Sequence, residues 1–509
     1  MDRIDFSRMT LQTIDQAKAL LADATKAITP TSPGLTGYSL EVPAKKLYPV
    51  LCPLRNRIAR VSHKGMGATA TNWKAITGIN TARLKVSVPF GSKNTDVSYG
   101  SSSKTASFKS FGHNDTVLQE SQYMGRNFED VLAFSRMACL QNVMIGEEDL
   151  ILGGMDSAAG AAFTTVGLGT PGSAVGGTGT GGSVSNGTYS IRVFALPYYG
   201  ATISSLGTGS GNMPYHSPIS PKSAALVLTT GTNILTGTVA PVAGAAAYAW
   251  FVEAGTTGSA GKLEAITFKN SVRFGDYADL IGTNLGYGTV TTPTVDTCGD
   301  SDDYDGILSQ VWGGSSLTQV KVLTNGILYY SGASAPVIVM NTGTPGTGTG
   351  LTADNLGGIT EFDEILLYLW NNVRLGPQRI ICNAQEARRI TAKIGGSTGL
   401  VFRVQLTDGQ NNVVGGILVK GYLNKFTGEE IDVEVHPMLP AGTILFETDR
   451  LPYPNSEVPS VLEIELLFDY LAQDFAMTTR AWPHGVYGNG VLKHYFPAGW
   501  GIITNIADA

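Results

Sequence analysis

Between Thr10 and Ile28 the apolar residues Leu11, Ile14, Ala17, Leu20 and Leu21 recur at helical spacing, which predicts a short amphipathic helix ending before Thr29 and Pro30. The Pro/Gly-rich run over 31–37 then reads as an extended arm. Residues 73–79 and 83–90 have strand-like stretches, 91–103 are rich in Gly, Ser and Asn, and 105–111 return with partial alternation. Together they predict a long two-stranded projection with a flexible tip. The clearest helix is expected over 117–145; its second half, 131–145, is apolar nearly all round and carries one charge, Arg136, so it should be packed on several sides.

Short strands over 188–196, 225–229, 247–253 and 263–268, separated by Gly/Pro-rich turns, predict a β-sandwich. The remainder reads as α/β. Thr360 is placed to cap a helix with Phe362, Ile365, Leu366, Leu369 and Val373 on one face and Glu361, Asp363 and Glu364 in its first turn. A strand over 379–382 and a helix over 384–394 follow, then strands over 416–423, 431–435, 443–446 and 461–466, with a last strand pair in 493–506.

Composition narrows the class. Of 509 residues only 15% are charged, against about 25% in ordinary domains, and 63 are glycine. That disfavours both a charged disordered chain and a helical bundle. The net charge of -6 gives no overall basic footprint for nucleic acid. The charge is unevenly laid out, however. Residues 45–109 hold twelve bases against Asp96 alone, residues 115–156 sum to -6, and residues 155–300 carry only twelve charges.

Candidate chemistry is sparse. Cys52, Cys139, Cys298 and Cys382 lie far apart with no CxxC pair, so neither a disulfide framework nor a zinc site is indicated by spacing. Gly395 to Gly399 fits GxSxG but follows a helix, and Ser101 to Lys104 fits SxxK in a loop tip; both read as plain loops. The acidic run Asp300, Asp302, Asp303 and Asp305 lacks the position-12 glutamate of an EF-hand, and Gly255 to Lys262 lacks the Ser/Thr of a phosphate loop. The six histidines have no HExxH or paired spacing. The expectation is a chain that is not an enzyme, with no catalytic, cofactor-binding or metal residues and no cofactor. The N-terminus has no signal-peptide pattern, and the apolar stretch 224–251 is broken by Gly231, Gly237, Pro241 and Gly244, so a cytosolic protein without a membrane span is expected.

The order of parts, with residues 431–449 (IDVEVHPMLPAGTILFETD), 356–365 (LGGITEFDEI) and 377–382 (PQRIIC), resembles the major capsid proteins of tailed double-stranded DNA bacteriophages. That resemblance implies an α+β Hong Kong 97-type fold: an N-terminal arm over 1–43, an E-loop hairpin with flanking peripheral-domain strands over 44–116, a spine helix over 117–154, an axial domain over 301–450, and a return to the peripheral domain over 451–509. The block 155–300 departs from the family. Its 187–195 and 247–253 segments are similar to strands of immunoglobulin-like or fibronectin type III modules, so an inserted all-β sandwich, exposed on the outer surface, is expected there.

The implied function is structural: self-assembly into pentamers and hexamers of an icosahedral head enclosing phage DNA, built in the host bacterial cytoplasm. Basic hairpin residues Arg83, Lys85, Lys93, Lys104 and Lys109, and acidic spine residues Glu120, Glu129 and Asp130, are then the expected inter-subunit contacts. The implied partners are other copies of the chain, a portal, and scaffolding or decoration proteins, with weak non-specific contact to packaged DNA and no membrane. No cleaved N-terminal scaffolding segment is expected. Alternative readings are a secreted or surface adhesin working through the Gly/Thr-rich block, and a non-viral shell nanocompartment of the same fold.

Overall fold

The computed structural model describes residues 45–47, 49–65, 69–79, 87–94, 96, 99–125, 128–155, 168–198, 216–254, 262–275, 303–312, 320–324, 327–330, 337–344, 346–395, 407–408, 412–413, 419–477 and 479–508. The arm and its expected helix lie outside them. Packing divides the chain into two units, 1–49 with 117–134, and 50–116 with 135–509.

The described part opens with helix α1 (Pro53–Arg57) and strand β1 (Ala59–Ser62). β2 (Ala70–Ile79) and β3 (Tyr99–Ser107) form a two-stranded antiparallel ribbon with Ala70 opposite Ser107 and Ile79 opposite Tyr99. The returning strand thus starts inside the stretch expected to be a flexible tip. β4 (Lys109–Leu118), α2 (Gln119–Met124) and α3 (Val131–Gly153) follow. The single helix expected from residue 117 is therefore two. Val117 and Leu118 still belong to the strand, and Gly125 closes α2 by donating its amide to Ser121. Asp130 then starts α3 afresh, its Oδ1 accepting from the amides of Leu132 (3.1 Å) and Ala133 (3.2 Å), the bonding of an N-cap. In the smaller unit Lys46 also pairs with Glu129 at 3.4 Å and sits over the Phe134 ring.

Seven strands come next: β5 (Val175–Val184), β6 (Gly187–Leu196), β7 (Leu226–Leu228), β8 (Asn233–Thr238), β9 (Ala247–Ala254), β10 (Lys262–Thr267) and β11 (Ser271–Phe274). They form two antiparallel sheets, β10-β9-β6-β7 and β11-β8-β5. Ile191, Val193 and Trp250 of one share a core with Leu235, Val272 and Phe274 of the other. The strand order is not the ABED/CFG order of immunoglobulin domains, so among the described residues the likeness reaches the layering and not the connectivity.

Beyond β7 the edge of β6 is covered by a ladder of three serines spaced three apart. Ser217, Ser220 and Ser223 donate their amides to the carbonyls of Ala195, Val193 and Ile191 at 2.9–3.0 Å. Their hydroxyls accept from the amides of the same three β6 residues at 2.8–2.9 Å. Each hydroxyl therefore stands where a strand would offer a carbonyl. Pro218 and Pro221, lying between, have no amide to present.

The remaining elements are α4 (Ile307–Val311), β12 (Val320–Thr324), β13 (Ile327–Tyr330), β14 (Val337–Asn341), α5 (Thr360–Val373), β15 (Arg379–Cys382), α6 (Ala384–Gly395), β16 (Thr407–Asp408), β17 (Asn412–Val413), β18 (Gly421–Leu423), β19 (Glu430–Val435), β20 (Ile444–Glu447), β21 (Leu462–Asp474), β22 (Ala481–His494) and β23 (Gly501–Thr504). Eight of these strands build a mixed sheet in the order β13-β12-β14-β23-β20-β15-β19-β18. Phe362, Ile365, Leu366 and Leu369 of α5 pack with Ile380, Phe446 and Ile503 of that sheet, as the 3–4 spacing predicted. Thr360 is the first helical residue and not the cap; Ile359 holds that position without a side-chain bond. The strand pair expected in 493–506 is also resolved differently. Lys493 and His494 end β22, which pairs with β21, while β23 pairs with β14 and β20.

A second sheet, β1-β21-β22-β4, carries the long β21–β22 ribbon. Leu462 to Leu466 are buried, with Leu54, Ile151, Leu152, Tyr304 and Trp500 in the same core. That core joins the long helix to both sheets.

Candidate functional site

The C-terminal half of α3 carries adjacent buried acids whose partners lie in residues 54–60 and at His436 and Tyr470. Glu147, with a side chain 0% exposed, accepts from Arg60 Nη1 at 2.7 Å and Arg55 Nε at 3.3 Å. The Tyr470 hydroxyl also donates to Glu147 and accepts from Arg55 Nε at 2.9 Å, and both guanidinium groups lie over the Tyr470 ring. Burial and the Glu147 charge push the Tyr470 hydroxyl pKa upward. Burial alone would lower the Arg60 pKa, but Glu147 together with Asp469 and Tyr470 outweighs it and raises it. Glu148 accepts the amides of Leu54 (2.9 Å) and Arg55 (2.7 Å) at the start of α1, and lies 2.7 Å from His436 Nε2. Burial, then Glu148, lifts the neighbouring Cys52 thiol to about 11, leaving it inert. Arg57 reaches Glu434 and Glu447.

Lys46, Arg55 and Arg60 of the basic block thus meet Glu129 and Glu147 of the acidic one within one chain. Of the acids named as inter-subunit residues, Asp130 caps α3, Glu129 pairs with Lys46, and Glu120 is exposed on α2. Of the bases, Arg83 and Lys85 lie outside the described residues. Lys93 pairs with Asp96 at 2.9 Å near the turn, and Lys104 and Lys109 are half-buried on β3 and β4.

The β2–β3 ribbon is held at its foot. Glu465 of β21 accepts from Thr71 Oγ1 at 2.7 Å, pairs with Lys493, and lies 2.5 Å from His63 Nδ1. Lys493 lies over the Trp73 ring, which meets Tyr495 edge-on. Farther out Ile76 is 70% exposed, and Phe90 is fully exposed.

Sequence reading missed the outer half of β21. Past Leu466 the strand continues through bulges at 466/468 and 468/471 to Asp474, and Leu467, Phe468, Leu471 (53% exposed), Phe475 and Met477 all face solvent. The signal was present: apolar residues at both parities over 464–468 predict burial on two faces, and one chain covers only the inner half. Exposed apolar surface, where it is contiguous and extensive, is characteristic of interaction sites.

No family model and no curated protein matches the chain. Solved structures with a related arrangement do. The capsid of a native GTA particle matches with a TM-score of 0.42 and 9% identity over 94% of this chain and 99% of that one. The capsid of Myoviridae phage XM1 gives 0.39 and 7% over 93% and 100%. The holo-SrpI encapsulin complex of Synechococcus elongatus PCC 7942 gives 0.35 and 9% over 93% and 94%. At these scores the likenesses assign the chain to no family.

Proposed function

We propose that this chain is a major capsid protein of a tailed double-stranded DNA bacteriophage, with a Hong Kong 97-type α+β architecture, whose copies close into pentamers, hexamers and an icosahedral head. The observation that carries this is the outer half of β21, whose apolar side chains are exposed among the described residues while its inner half is buried in the core. A second copy is the occupant proposed, because a repeated contact between identical chains closes rings when its rotation divides the circle. The β2–β3 ribbon supports the same reading: it is a two-stranded sheet among the described residues, tied at its foot and exposed beyond, and such a ribbon is marginal in water until a neighbour covers it.

The role is structural and not catalytic. Residues 155–300, with their two-sheet module, are proposed as an immunoglobulin-like insertion on the outer surface, and the other boundaries as those of arm, E-loop, spine and axial domain. The net charge of -6 suits a wall that holds packaged DNA only weakly. A portal and scaffolding or decoration proteins would complete the particle in the host cytoplasm. Electron microscopy of the recombinant full-length chain with light-scattering mass is the test. Closed shells or five- and six-fold rings are expected. A monomer at every concentration, with or without a co-expressed scaffold, would refute the proposal, and particles filled with protein cargo would favour the nanocompartment.

A further inference from the structure

Asp115 on β4, Cys139 on α3 and His484 on β22 converge where no spacing rule anticipates it, with one donor atom from each lying within 4.8 Å of the others. Cys139 and His484 are buried, and Asp115 opens to solvent. The backbones are close because residue 485 is glycine: a Cβ there would lie 2.7 Å from the Tyr487 ring and 3.0 Å from the His113 carbonyl oxygen. The carboxylate is already oriented, with Oδ1 accepting the Thr116 amide at 2.7 Å and Oδ2 accepting the Ser135 hydroxyl.

Proton bookkeeping around Ser135 shows what the cluster lacks. His484 Nδ1 lies 3.2 Å from the Trp482 carbonyl, a contact that only an N–H makes favourable, so in the neutral ring Nε2 bears a lone pair. That Nε2 lies 3.0 Å from Ser135 Oγ, whose one proton is given to Asp115. Lone pairs of nitrogen and oxygen therefore face each other beside a carboxylate and a thiol, an arrangement a cation would relieve. The hydrogen-bond order also differs from a hydrolase triad, in which the imidazole stands between serine and acid.

We infer that Asp115, Cys139 and His484 form a binding site for a borderline-soft divalent transition-metal ion, zinc in the first instance. A mixed S, N and O donor set selects zinc over magnesium or calcium, which take oxygen alone. Zinc bonds of about 2.0–2.3 Å require the donors to close inward by on the order of 1 Å, with a fourth position left to water. The Nδ1–H to carbonyl bond is the support a metal-bound histidine uses to present Nε2, and the Ser135 and Thr116 donors do the same for the carboxylate. A bound ion would join β4, β22 and α3 at one point. The inference stands apart from the shell proposal.

The test uses the full chain, reduced, with Cys52, Cys298 and Cys382 changed to alanine so that Cys139 is the sole thiol. Zinc alone and cobalt(II) alone are the probes. The expected result is about one zinc per chain retained through gel filtration, a sulfur-to-cobalt charge-transfer band, and protection of Cys139 from alkylation by zinc. His484→Gln and Asp115→Asn should each weaken zinc by more than about tenfold while circular dichroism stays unchanged. Absence of the charge-transfer band, or equal zinc binding after Cys139→Ala, would overturn the inference. So would alkylation of Cys139 at a rate that zinc leaves unchanged.

Discussion

The inner end of α3 and the outer end of β21 use opposite currencies. At α3, Glu147 and Glu148 are buried against Arg55, Arg60, His436 and the start of α1, so charge fixes the chain to itself. At β21 and just past it, Leu467, Phe468, Leu471, Phe475 and Met477 stand in solvent, so apolar area is what this end exposes. Charge here sets internal register, and apolar surface is what the proposed association would use. The block charges had suggested only that electrostatics would orient and register neighbouring subunits, with most adhesion expected from apolar area.

Four changes sharpen or break that contrast. The largest effect is expected from Glu147→Ala, which leaves Arg55 and Arg60 without their buried partner; a loss of about 3–5 kcal/mol in denaturant unfolding is expected, and a loss below about 1 kcal/mol would show that solvent replaces the acid. Glu386 in α6 is the counter-example, a buried acid bonded to the Gly442 amide at 2.7 Å whose pKa burial raises to about 8. Because the folded chain prefers its protonated form, its contribution is full below the unfolded pKa near 4.5 and is lost as pH rises through about 8. Glu386→Gln should therefore unfold less readily than wild type at pH 9, by on the order of a few kcal/mol, with the difference vanishing at pH 4; equal gains at both pH values would remove titration as the cause.

Leu467→Asp with Leu471→Asp comes third. The isolated chain should keep its stability within about 0.5 kcal/mol while the concentration needed for assembly rises at least about tenfold, read by light scattering. Unfolding of the monomer instead would mean that the strip belongs to its own core. The smallest effect is expected from reversing Arg83, Lys85 and Lys109 together, at about 0–1 kcal/mol per exposed pair. Assembly should suffer more at low salt than at high salt, where screening already removes the attraction; equal loss at both would count against an electrostatic role.

Elements with a period announced themselves. The 3–4 spacing of α5 and the near-continuous apolar run of β6 gave their class and their buried face directly. Partners did not, because a charge sum over a block does not say whether Glu147 meets an arginine of its own chain or of another. The serine ladder escaped because its period of three matches neither helix nor strand, although Ser-Pro repeats at 217 and 220 were in view. Asp115, Cys139 and His484 are separated by hundreds of positions at the extremes, and only the close approach of β4 and β22 at Gly485 relates them.

The serine ladder also bears on aggregation. Runaway stacking into fibrils begins when an open strand edge meets another whose amides and carbonyls alternate in the same step. Along residues 217–223 that alternation is absent: hydroxyls stand in for carbonyls, the step is three against two, and Pro218 and Pro221 withhold their amides. A module that presents this stretch to another copy of itself therefore does not offer it as a template for a cross-β deposit, and replacing those two prolines would be the shortest route to giving it that hazard.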